Sequence, residues 1–136
     1  MAATRRVAGA AYRWLTALFA LAIVIEFFLA GAGVFGEKVN VTLHDQKSLD
    51  PHRALGYGLI MGALLLLVLC LIWWSERIWL LATFLLFVLT IAQSVLGSAG
   101  EHHRWVGALH PVNAIAVLGL SAFLTHRAWW RDLKSR

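Results

Sequence analysis

Four long apolar runs separated by short polar segments dominate the chain, at about residues 12–35, 53–74, 78–97 and 109–130. An α-helix rising ~1.5 Å per residue needs ~20 residues to cross a ~30 Å hydrocarbon layer, and each run is about that long. In lipid every backbone N–H and C=O must be paired, which leaves helices or closed barrels, and unbroken apolar runs of this length select helices. The pattern predicts an all-α, four-helix transmembrane bundle of up-down-up-down order, one domain over residues 1–136. The only sizeable hydrophilic segments are 36–51 and 98–108. The link Ser75-Glu76-Arg77 is so short that runs two and three must be antiparallel neighbours.

The two halves carry the trace of a two-helix repeat. Run one ends Glu26-Phe27-Phe28-Leu29-Ala30-Gly31-Ala32-Gly33, and run three ends Gln93-Ser94-Val95-Leu96-Gly97-Ser98-Ala99-Gly100. A shift of 67 positions aligns Leu29 with Leu96, Ala32 with Ala99 and Gly33 with Gly100, and sets Glu26 opposite Gln93. Each half then reads as a helix with a polar residue before a small-residue end, a loop, and a second helix opened by histidine. Membrane proteins are often built from such repeats, and small residues let spans approach closely.

Composition agrees. Of 136 residues, 60% are hydrophobic and 14% charged, with mean hydropathy +0.73, against roughly half apolar and a quarter charged in soluble domains. The net charge of +5 and pI near 10.2 do not signal nucleic acid, because the basic residues sit at the ends of the runs. Arg5, Arg6, Arg13, Arg77, Arg127, Arg131, Lys134 and Arg136 fall on one side, and Lys38, Lys47, Arg53 and Arg104 on the other. The positive-inside rule then puts both termini in the cytoplasm and both longer loops outside, with Trp73-Trp74 and Trp129-Trp130 at the inner interface. The Thr4-Arg5-Arg6 start precedes an apolar run longer than a signal h-region, which predicts a retained span. The single cysteine, Cys70, permits no intrachain disulfide and reads as a small buried apolar residue.

Chemistry concentrates on His52 and His110. His52 opens run two, in Asp50-Pro51-His52-Arg53-Ala54-Leu55-Gly56-Tyr57, and His110 opens run four, in Leu109-His110-Pro111-Val112-Asn113. Each is followed by Trp-Trp, after 21 and 19 residues. One imidazole is therefore expected at the same level on each of two spans, near the outer face. A histidine there is costly and by default functional. Pro111 suits a first helical turn, and Asp50 can cap the other helix. Runs two and four lie on the diagonal of a square bundle, ~13 Å apart where neighbours are ~8–10 Å apart. Metal–nitrogen bonds of ~2 Å suit that gap, so the pair points to a metal, in the first place one haem b held non-covalently by His52 and His110. No Cys-x-x-Cys-His is present for covalent attachment.

The remaining candidates have two readings each. Arg53 and Arg104 either meet haem propionates or snorkel to the interface. Tyr57 and Asn113 either line a cofactor pocket or hydrogen-bond within the bundle. His44, His102 and His103 read as solvated loop histidines, and His126 as interfacial. Glu26, the only acid well inside a run, is placed ~14 Å from its outer end, near mid-bilayer, either relaying protons or bonding a neighbour such as Gln93. No catalytic residue is nominated.

The plan of helix, outer loop and histidine-led helix, twice over, resembles one four-helix half of the haem A synthase family. His52-Arg53 looks like that family's ligand dipeptide, and Ala92-Gln93-Ser94-Val95-Leu96-Gly97 like its third-helix ending. The resemblance implies a bis-histidine haem near the outer face, with His52 and His110 as ligands. The family's outer-loop cysteine pair is missing, and Leu49 stands where it has a glutamate three residues before the first histidine, so the oxygenating chemistry does not carry over. The two histidine phrases also resemble a group of small uncharacterised four-span bacterial membrane proteins, which implies a bacterial plasma-membrane location and says nothing of activity.

The expectation is a membrane cytochrome b-like protein in electron transfer near the outer face, with a quinone or a redox protein as partner. Two strong ligands leave no open iron position, which favours electron transfer over oxygen chemistry. The other readings are a cofactor-free accessory subunit, in a homo-oligomer or a larger membrane complex, and a haem-handling or haem-modifying enzyme. A transporter fits less well, because Glu26 is the only buried charge on offer.

Overall fold

A computed structural model describes residues 2–36, 47–73 and 76–134, with side chains as far as Arg131. Lys38, His44, Trp74, Arg136 and the Lys134 side chain lie outside the described residues. Four long helices form the molecule: α1 (Ala2–Gly36), α2 (Asp50–Trp73), α3 (Arg77–Gly100) and α5 (Leu109–Lys134). A 3₁₀ turn at Lys47–Leu49 precedes α2, and the one-turn helix α4 (Arg104–Gly107) precedes α5. Helix α1 begins ten positions before its expected start, and α4 falls in a segment expected to be irregular.

All four long segments are long and apolar enough to cross a membrane, and the distribution of side chains fits a lipid solvent. Leu18, Val24, Phe28, Met61, Leu81, Phe84 and Ile115 face outward, while Thr16, Glu26, Thr83, Thr90 and Ser121 are buried. The inward hydroxyls are not orphaned. Thr83 donates to the Trp79 carbonyl at 2.8 Å, Thr90 to Leu86 at 2.7 Å and Ser121 to Leu118 at 2.9 Å. Bonding back to the same helix satisfies a hydroxyl where no water reaches.

Each helix packs on two others: α1 on α2 and α5, and α3 on α2 and α5. The pairs α1/α3 and α2/α5 are the diagonals. Contacts at the ends fix the directions. Trp14 meets Trp129 edge-on at 4.9 Å, and Arg131 of α5 reaches Glu76 before α3 at 3.1 Å, so neighbours run antiparallel. At the end carrying the termini, Trp73 inserts between Tyr12 and Trp79, with ring centres 5.5 and 5.6 Å away. It is half-buried at this end of the bundle. Gly9 makes room for it: a Cβ there would lie 2.8 Å from the indole nitrogen. Across the α1/α3 diagonal Tyr12 donates to Thr83 at 2.6 Å. Cys70 is a free thiol, buried in the core.

The repeat is written in the burial pattern. The inward positions of α1 include Tyr12, Thr16, Phe19, Ile23 and Glu26. The shift of 67 carries the first four onto Trp79, Thr83, Leu86 and Thr90, the buried set of α3. The buried set of α2, Ala63, Leu66 and Cys70, maps by a shift of 58 onto Ser121, Leu124 and Ala128, all buried in α5. The same shift carries His52 onto His110, and Lys47–Leu49 onto 105–107 within α4. Each half is thus a leading helix, a short helical turn and a histidine helix. The turn docks on a glycine of the leading helix in both. Ser48 donates to the Gly33 carbonyl at 2.8 Å, and at the equivalent Gly100 a Cβ would stand 2.7 Å from the Cα of Gly107. Only glycine allows backbones to pass so closely.

Candidate functional site

The two short turns set the depth of the histidines. Each ends just before its histidine helix, so His52 and His110 occupy first turns held against the bundle by the Gly33 and Gly100 contacts. The rings face each other across the α2/α5 diagonal, with centres 6.2 Å apart and planes at 74°. Both residues are part-buried.

Each ring is held from behind by the leading helix of its own half. His52 Nδ1 pairs with Oε2 of Glu26. His110 Nδ1 lies 3.0 Å from the backbone carbonyl of Gln93. A carbonyl only accepts, so Nδ1 of His110 carries the proton and Nε2 keeps its lone pair. His52 likewise turns Nδ1, not Nε2, toward Glu26. Glu26 and Gln93 are equivalent positions in the repeat. One acceptor is a side chain and the other the backbone, yet both reach the same ring nitrogen.

Around His110 the bonds form a closed set. The Gln93 amide donates to the carbonyl of His110 at 2.9 Å. Asn113 donates to Gln93 Oε1 at 2.6 Å and to the Leu89 carbonyl at 2.9 Å. The His110 ring lies over Gly97, one turn beyond Gln93, where a Cβ would stand in contact at 3.4 Å from both Nδ1 and Cε1. Around His52 the surroundings are barer. Glu26 is 8% exposed, its two oxygens and His52 Nδ1 make no hydrogen bond among the described residues beyond their ion-pair contact, and Gly56 leaves space beside Oε1, with a Cβ position 3.7 Å away. A buried carboxylate with one partner is held at a cost that the pairing with His52 offsets.

The other nominated residues divide. Asn113 belongs to the site, as a support for Gln93. Tyr57 is 65% exposed on the outer side of α2 and does not line the space between the rings, because five helical residues turn it away from His52. Arg53 donates to Asp50 at 3.0 Å, which engages the carboxylate expected to cap the helix. Arg104 lies over the Trp105 ring at 5.0 Å. His102 and His103 are exposed between α3 and α4, and His126 stacks on Trp130 at 6.1 Å. Glu26 corrects the expectation drawn from depth. Its partner is His52 rather than Gln93, and it sits level with the histidines, because α1 runs on past α2 to Gly36. Gln93 is the site residue that the sequence left unassigned. Its signal was already present, as the position equivalent to Glu26.

Among the described residues, no group of three or more His, Cys, Asp or Glu side chains is gathered to hold a metal ion. No protein-family model matches the chain, and neither a curated protein nor a solved structure does.

Proposed function

We propose that this membrane protein binds one b-type haem between His52 and His110 and serves in electron transfer. The observation that carries the reading is the shared orientation: each imidazole turns Nδ1 to an oxygen of its own leading helix, Glu26 Oε2 and the Gln93 carbonyl, which leaves Nε2 as the ligating atom. Metal-binding histidines almost always show this arrangement, in which the second hydrogen bond orients the ring and raises its basicity. The spacing supports it as well. Two bonds of ~2 Å, plus about 1 Å from each nitrogen to its ring centre, call for centres roughly 6 Å apart, and these are 6.2 Å apart. A bare ion would need further side chains, whereas a porphyrin brings four ligands and asks two of the protein.

In this reading His52 and His110 hold the iron, Glu26 and Gln93 orient them, and Asn113 locks Gln93. Bound haem supplies one-electron chemistry, cycling between ferrous and ferric iron. The chain would contribute His52 and His110 as ligands and would set the potential through the burial of the site and the neighbouring Glu26. A quinone or an outer-face redox protein is the proposed partner. The bacterial plasma membrane, with cytoplasmic termini, is the proposed location.

The test is optical. Protein produced with haem available is expected to show a Soret band and a sharp reduced-minus-oxidised α band, unaffected by carbon monoxide. Replacing either His52 or His110 by alanine is expected to abolish that spectrum. A colourless wild-type preparation, or an unchanged spectrum in both variants, would refute haem ligation. Rapid carbon monoxide binding would move the reading to a haem-handling enzyme with one labile ligand.

A further inference from the structure

At the opposite end of the bundle the surface between α3 and α5 opens into a groove of about 320 Å³, lined by Glu76, Ile78, Phe123, Arg127, Trp130 and Arg131, with others. Arg127 lies 17 residues beyond His110 on α5, which is ~25 Å of helix and places the groove at the other edge of the apolar layer. The walls differ in character. Ile78, Phe123 and Trp130 are 62%, 48% and 51% exposed and belong to the apolar exterior that meets hydrocarbon. The remaining wall is ionic. Arg131 is 3.1 Å from Glu76, so that pair is balanced. Arg127 lies over the Phe123 ring at 5.7 Å, and no carboxylate pairs with it among the described residues. The groove therefore holds one cation in excess, at the level where headgroups begin and beside a strip where an acyl chain can lie.

We infer that this groove binds a single anionic phospholipid, its phosphate on Arg127 with Arg131 alongside, and its chain against Phe123 and Ile78. A guanidinium matches phosphate oxygens in a two-point geometry. Basic recesses between membrane helices are suited to acidic headgroups. Charge complementarity picks the anion, and the exposed apolar wall picks a lipid over a free anion. The site lies apart from the histidines and stands or falls independently of haem.

The test uses the full-length protein in neutral detergent, with lipid retention read by native mass spectrometry against equimolar phosphatidylglycerol and phosphatidylcholine. The wild type is expected to retain phosphatidylglycerol in one-to-one ratio. Arg127→Gln is expected to lose about fivefold in retention, the worth of one basic residue at a membrane surface. Arg5→Gln, at the same end on α1, is expected to retain it fully. Brominated phosphatidylglycerol should quench tryptophan fluorescence in the wild type, and Trp130→Phe should remove most of that quenching. Equal retention of both lipids, unchanged retention in Arg127→Gln, or displacement by equimolar inorganic phosphate would overturn the assignment.

Discussion

The two halves repeat one plan in the same inward register, yet they support their histidines differently. In the first half the acceptor behind the ring is a carboxylate at the end of a flexible side chain. In the second it is a backbone carbonyl, immobile in α3, with Gln93 and Asn113 braced around it. The two helices differ in one small residue beside the ring. Position 97 is glycine, packed under the His110 ring. The equivalent position in α1 is Ala30, and there a longer side chain, Glu26, reaches out to His52 instead. The halves teach that a repeat conserves where a hydrogen bond must arrive, not which atom delivers it. They also differ in surroundings: the second half holds its imidazole against backbone, and the first brings the only buried acidic or basic side chain among the described residues.

The largest effect is expected from forcing the second half to copy the first. Gln93→Glu replaces an amide that donates to the His110 carbonyl by a part-buried carboxylate facing it, with Asn113 still donating to one oxygen. It should cost about 3 kcal/mol in unfolding experiments in mild detergent, the upper end for a polar group left opposing an acceptor. Asn113→Leu strips the brace from Gln93 Oε1 and should cost about 1–3 kcal/mol, with His110 ligation weakened while His52 is untouched. A loss equal at both histidines would break the picture of independent halves.

Two glycine substitutions sharpen the comparison at the docking turns. Gly100→Ala meets backbone, the Cα of Gly107 at 2.7 Å, and should destabilise by about 1–3 kcal/mol. At Gly33 the main obstacle is the tip of the Leu49 side chain, which can rotate, so Gly33→Ala should cost less. The reverse order would show that the two turns are not equivalent. The smallest effect belongs to Glu26→Gln, which makes the first half chemically like the second. Its amide oxygen can still face Nδ1, so stability should change by about 1 kcal/mol or less. Under the proposed function the variant should still bind haem, with a midpoint potential in redox titration no lower than that of the wild type. Loss of haem in this variant would show that the carboxylate, not merely an acceptor, is required.

Much of this was legible in the chain. Four apolar runs sufficed for four helices, since hydrocarbon leaves the backbone few alternatives, and the Ser75-Glu76-Arg77 link sufficed for the antiparallel order of α2 and α3. His52 and His110 stood out because a polar residue at the head of an apolar run is conspicuous. Tyr57 was misplaced, because sequence proximity to a ligand says nothing about which side of a helix a residue occupies. Glu26 was misjudged in depth, because counting from a helix end presumes that all helices end at one level, and α1 runs on beyond α2.

By itself the sequence determined what is local or repetitive: helix number, apolar length, the histidine-led starts and the internal shift that relates the halves. Tertiary structure alone decided which atom stands behind each imidazole, that both rings turn Nδ1 to it, and that Gly33 and Gly100 receive the turns that precede the histidine helices. The reason is physical. Hydrophobic length and periodicity belong to a single segment and can be counted along it. A hydrogen bond between helices depends on their relative height, rotation and closeness of approach, and these are fixed only when all four pack together.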